Sequence, residues 1–140
     1  MSGMWLLRVR DEFSAAHALR HYQGKCENMH GHNFHVEVCV CGDRVDEKTG
    51  MLLDFRILKN ALKTILNDFD HCFVNERHPF EEINPSSENM ARVIWERFAE
   101  FLTSLPEAAE RGVKAYSVTV SEKDAQDATY FGYGLKMEMA

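Results

Sequence analysis

Apolar residues alternate with polar ones in two stretches at the head of the chain and two at its tail. Between them they recur every three or four residues. Trp5, Leu7, Val9 and Phe13 share one phase, and Phe34, Val36, Val38 and Val40 another, so residues 4–13 and 31–41 read as half-buried strands. Asp54 then caps a helix carrying Phe55, Leu58, Leu62, Ile65, Leu66 and Phe69 on one face. A second helix follows Asn84-Pro85-Ser86-Ser87, with Ala91, Ile94, Phe98, Phe101, Leu102 and Leu105 as its apolar stripe, and should stop near Pro106. Alternation returns over Val113–Ser121 and Thr129–Met139. The order is ββααββ. It predicts one α+β domain spanning residues 1–140, with two helices on one face of a four-stranded antiparallel sheet.

Such a sheet has two open edges, and closing several copies into a barrel removes them, so a ring-forming oligomer is expected. At 140 residues the chain buries roughly two-thirds of its unfolded surface without help. Any metal it holds should therefore serve function rather than folding. Sixteen Lys and Arg against 22 Asp and Glu give a charge of −6, which repels a nucleic-acid backbone. The apolar run near the N-terminus is broken at Arg8, which argues against a secretory signal or a membrane span and for a cytoplasmic protein. Cys39 and Cys41 lie within a strand pattern and Cys72 beside a helix end; packing is the expectation for all three.

His30-Gly31-His32 opens the second strand, and an i, i+2 pair on a strand points both imidazoles to one side. His17 follows the first strand in phase with Val9 and Phe13. If the two strands pair antiparallel, His17 arrives beside the pair. Three neutral imidazoles suit Zn²⁺ and leave a coordination position open. His21, His35 and His78 are expected in solvent, His35 on the opposite strand face. Cys26, four residues before His30 and next to Lys25, is either a fourth ligand that closes the site or a nearby acid, base or nucleophile. Asp70-His71 ends the first helix, either as an oriented acid–base pair or as a cation at the helix terminus. Glu122 continues the phase of Val118 and Val120 toward the apolar side. There it either reaches the surface or is held by a specific donor, and a carboxylate so placed suits a guanidine-like N–H pair on a heterocycle.

In order and spacing, His17, Cys26-x3-His30-Gly31-His32, Asp54-Phe55, Asp70-His71, Asn84-Pro85-Ser86-Ser87-Glu88-Asn89 and Glu122 resemble the 6-pyruvoyltetrahydropterin synthase superfamily over nearly the whole chain. The three-residue gap between Cys26 and His30 is similar to that of its bacterial 6-carboxytetrahydropterin synthases, which serve queuosine biosynthesis. The resemblance implies a tunnelling fold whose subunits close a barrel as trimers and stack as a homohexamer. It implies zinc on His17, His30 and His32, and proton transfer by Cys26 with Asp70 and His71. Glu122 would anchor the pterin with contacts from Ser86, Ser87 and Glu88, and Lys25 would face the triphosphate. The implied reaction turns 7,8-dihydroneopterin triphosphate into 6-carboxy-5,6,7,8-tetrahydropterin, acetaldehyde and triphosphate. One alternative stops after triphosphate elimination, at 6-pyruvoyltetrahydropterin. A zinc-stabilised, non-enzymatic assembly module is another, with Cys26 completing a four-ligand site. No Gly-rich dinucleotide fingerprint follows any expected strand, so neither nicotinamide nor flavin is expected.

Overall fold

The computed structural model describes residues 3–24 and 28–132. Strands β1 (Trp5–His17), β2 (His30–Gly42), β3 (Lys114–Lys123) and β4 (Gln126–Phe131) form one sheet in that order, each antiparallel to the next. Helices α1 (Phe55–Asn67) and α2 (Ser87–Thr103) pack on the sheet, α1 against β1 and α2 against β3 and β4. The alternation explains the layering. Phe13, Phe34, Val36, Val38, Val118 and Val120 are buried with Leu58, Leu62, Ile94 and Phe98. The polar partners Arg10, Glu12, His35, Glu37, Thr119 and Ser121 line a shallow depression on the other face. Asp54 accepts from the Arg56 N–H at 2.8 Å, and Ser86 from the Asn89 N–H at 3.1 Å, so both helices start where their capping residues stand.

Several boundaries differ from the sequence reading, and β1 runs four residues past Phe13, to His17. Pro106 ends α2 but also opens a third, short helix, α3 (Pro106–Arg111), because its fixed φ and missing N–H suit a first helical position; Gly112, at φ 66°, stops it. β4 starts at Gln126, three residues before Thr129, since a two-residue turn at Asp124-Ala125 joins it to β3. The remainder of the expected last strand, beyond Gly132, lies outside the described residues.

The outer edge of β1 is partly covered by the chain itself. Asp70 Oδ1 accepts from the Ser14 N–H at 2.9 Å, the His71 N–H donates to Ser14 O at 2.6 Å, and the Ala16 N–H donates to Cys72 O at 3.0 Å. A parallel bridge between Ala16 and Phe73 completes this short addition to the sheet. It ties the end of α1 to the strand end that carries His17.

Where β4 ends, Gly132 lies flat against the buried Trp95: a Cβ built on it would stand 1.7 Å from the indole. Trp95 also donates to Tyr116 O at 3.3 Å and packs edge-on to Tyr130, so it cannot yield freely. Gly132→Ala should lower stability by about 1–3 kcal/mol, read as a reduced urea midpoint, with a changed tryptophan emission.

Candidate metal centre and active site

Antiparallel register sets His17 directly opposite His30, and His32 opposite Ala15. The three rings converge edge to face. Centroids lie 4.5 Å apart for His17 and His30, 4.8 Å for His30 and His32, and 5.8 Å for His17 and His32. Phe34 closes the floor at 5.0 Å from the His17 ring, in the same residue phase as His32. The i, i+2 argument and the in-phase placement of His17 thus correspond to one cluster at the end of the β1–β2 ladder.

The free ring nitrogens can be identified. His17 Nδ1 is 2.8 Å from Pro85 O and His30 Nδ1 is 2.7 Å from Asn28 O. A carbonyl only accepts, so each Nδ1 carries the proton, and in the neutral ring each Nε2 presents a lone pair. His17 is fully buried, and its Nε2 is the one buried side-chain nitrogen or oxygen among the described residues without a hydrogen bond. It nonetheless sits 3.1 Å from Glu122 Oε1, while Glu122 Oε2 is 3.3 Å from His32 Nε2. A lone pair facing a carboxylate repels it unless a cation stands between them. That cation is a proton or a metal ion, and three imidazoles with one carboxylate are a donor set for a divalent transition metal. One ligand atom from each of His17, His30, His32 and Glu122 lies within 4.8 Å of the others.

The surrounding charges agree with this. Burial pushes the His32 pKa down, against the opposing pull of Glu122, and the positive charge that His30 and His17 would carry adds to the fall. The shift favours the neutral ring, the form in which an imidazole can ligate a metal. The closeness of His17, with His32 and His30 beyond it, holds the Glu122 carboxyl below its ordinary range despite the burial that raises it. Glu122 owes its aim to a register shift between Val120 and Lys123 in the β3–β4 pairing, a bulge that turns the strand end. The strand phase of Glu122 signals that it points inward. Its approach to the imidazoles depends on the bulge, which sequence alone does not locate.

Asp70 and His71 form a pair with Oδ2 to Nδ1 at 3.0 Å. The Ser14 N–H, and then His71, lower the Asp70 pKa. Its anionic form, and the tie to β1, should persist through neutral pH and fail only in acid below the ordinary carboxylate range. His71, at φ 57°, is mostly exposed and lines one open pocket with His32, Gly31 and Cys72. A second pocket, of about 220 Å³, is lined by Ser87, Glu88, Glu122, Gln126 and Asp127. Ser86 is committed as the α2 cap. Lys25 and Cys26 lie outside the described residues. His35 and His78 are exposed and pair with Glu12 and Glu81, and His21 is exposed. Cys39 is buried; burial raises the Cys41 pKa and makes it a poor nucleophile; Cys72 donates to Asp70 O at 3.3 Å.

A family model described as 6-pyruvoyl tetrahydropterin synthase matches residues 6–133. A 6-carboxy-5,6,7,8-tetrahydropterin synthase of Synechocystis is 36% identical over 132 residues, covering 91% of this chain and 94% of its own. A 6-pyruvoyl tetrahydrobiopterin synthase of Poecilia reticulata is 32% identical over 143 residues, covering 91% and 90%. The solved structure of Caenorhabditis elegans 6-pyruvoyl tetrahydropterin synthase superposes with a TM-score of 0.79 at 28% identity, covering 94% of this chain and 97% of the other.

Removing one imidazole should release the cation that the other groups share. Protein carrying His30→Ala, loaded with zinc and then dialysed, is expected to retain well under one ion per chain by elemental analysis, against about one for the parent.

Proposed function

The chain belongs to the 6-pyruvoyl tetrahydropterin synthase family, and on that premise we propose that it converts 7,8-dihydroneopterin triphosphate to 6-carboxy-5,6,7,8-tetrahydropterin, acetaldehyde and triphosphate. The observation that carries this reading is the convergence of His17, His30 and His32, with a buried unpaired nitrogen, on a face shared with the Asp70–His71 pair. Zinc held by the three imidazoles would act as a Lewis acid on the hydroxyls of the substrate side chain. The three-residue gap between Cys26 and His30 supports the carboxy product.

The chain's own groups supply the rest. His71, oriented by Asp70 through Nδ1, keeps Nε2 available to take or return a proton on the side-chain carbons. A Cys26 thiolate would exchange protons from a second direction, since one carbon must lose a proton while another gains one. The side-chain carbon that becomes the carboxylate gains an oxygen, so one water is consumed. Glu122 borders both the imidazoles and the pocket with Ser87 and Glu88. Its two oxygens match the paired N–H groups of an aminopyrimidine edge. Lys25 is assigned to the triphosphate.

A second reading, 6-pyruvoyltetrahydropterin formation without carbon–carbon cleavage, is supported by the Poecilia relative. Stoichiometric acetaldehyde from 7,8-dihydroneopterin triphosphate is expected under the first reading, and triphosphate without acetaldehyde would select the second. In the same assay Cys26→Ala should abolish turnover with zinc content near one per chain. Glu122→Ala should raise KM at least tenfold while retaining zinc; loss of zinc instead would make Glu122 a ligand rather than an anchor. The uncovered parts of β1 and the outer edge of β4 support the proposed homohexamer. Light scattering should give six times the chain mass, and a monomer at micromolar concentration would refute it.

A further inference from the structure

We propose that Asn84 and Asn75, with Arg20 as their strut, are positioning residues that hold His17 in the orientation and tautomer a cation requires; this rests on the reading of His17 as a metal ligand. Beyond His17, residues 18–20 leave the sheet, and their backbone groups lose ladder partners. Two asparagine amides replace them. Asn75 accepts from the Ala18 N–H at 2.9 Å and donates to Ala18 O at 2.8 Å. Asn84 accepts from the Arg20 N–H at 2.7 Å and donates to Arg20 O at 2.9 Å. A side-chain amide carries the donor and acceptor of a peptide group, so each asparagine acts as one rung of an absent strand.

The Arg20 guanidinium then donates to Phe80 O at 2.7 Å, Ile83 O at 3.1 Å and Asn75 O at 3.3 Å. All three bonds go to backbone carbonyls, and they brace the 75–84 segment. Asn84 is itself fixed from beyond, because Asn89 donates from Nδ2 to Asn84 O at 2.9 Å and Ser86 caps α2. Pro85 therefore sits between two anchored residues. Its carbonyl is the acceptor for His17 Nδ1. The path is short: Asn84 holds the chain three residues after His17, and its neighbour's carbonyl holds the His17 ring. Without the Asn84 amide, the Arg20 N–H and C=O lose their partner, and the chain just past His17 is no longer tied to the segment that carries Pro85 O. The ring can then turn, or move its proton to Nε2 and cease to be a ligand.

The test is a Co²⁺ titration of the metal-free full-length protein, following the intensity and position of the visible absorption bands, which report ligand geometry. Asn84→Ala and Asn75→Asp should each weaken Co²⁺ binding roughly 10- to 100-fold and shift the bands. Asn75→Asp keeps the acceptor toward the Ala18 N–H and is the milder variant should Asn84→Ala not fold. Arg111→Ala, which removes comparable bonds to Leu52 O and Asp46 elsewhere, should bind Co²⁺ like the parent. If the parent takes up no Co²⁺, or His17→Ala binds as tightly as the parent, the metal reading fails and this proposal with it. If the parent binds, His17→Ala does not, and both asparagine variants keep parental affinity and bands, the proposal alone is overturned. An affinity loss in Arg111→Ala equal to theirs would also overturn it.

Discussion

The pairing of β1 with β2 is the constraint on which everything else in this molecule depends. It places His17 across from His30 and Phe13 across from Phe34, and the two phenyl rings stack at 4.9 Å. A slip of one residue would turn the β1 side chains to the wrong face, burying Arg10 and Glu12 and exposing Val9, Phe13 and His17. The same apolar phase that builds the core thus fixes the cluster. Three imidazoles are brought together by a register that hydrophobic burial enforces over the whole length of the ladder, while the orientation of the His17 ring depends on Pro85 O beyond the sheet.

Around that fixed point the other functional groups arrive on separate elements. The end of α1 is pinned to Ser14 and Ala16, which carries Asp70 and His71 to the rim. The start of α2 brings Ser87 and Glu88 beside Glu122, and the β3–β4 bulge aims Glu122 inward. Paired strands hold the three imidazoles, His17 buried and the other two partly exposed, and the connection after α1 holds the groups that would handle protons. This division suits a site whose cation must stay in place while hydrogen-bonded groups exchange with substrate.

Much of this was legible because it is periodic. Val9, Phe13, Phe34 and Val36 declare the strands, and the i, i+2 imidazoles follow from strand geometry without a third dimension. Leu58, Leu62, Ile94 and Phe98 likewise announce both helices. What was not legible depends on contacts between distant segments or on a single local choice. Pro106 stops a helix and starts another, and its residue type does not say which role dominates. The two-residue turn at Asp124-Ala125 carries no glycine, so it lacks the usual hairpin signal. Asn75 belongs to no sequence motif and Asn84 enters only as part of the motif before the second helix; only the fold shows each amide matched to a backbone residue near His17.

Under the proposed reading, the contact between Glu122 and the imidazoles would link binding of the cation to binding of the substrate. Without an ion, the anionic carboxylate is stabilised first by hydrogen bonding with the His17 ring and only then by charge on the neighbouring imidazoles, which together keep its pKa low despite burial. With the imidazole lone pairs taken up by an ion, Glu122 would be held in its anionic form by the ion's charge, whatever the protonation of the rings. Under the proposed reading, the aminopyrimidine edge would then meet an anionic acceptor in the loaded protein at any pH where the ion stays bound. Linkage runs both ways: a substrate that engages Glu122 more readily in the loaded state must also tighten the hold on the ion. On that reading the carboxylate would join metal loading to ligand recognition, through a position already set by three strands.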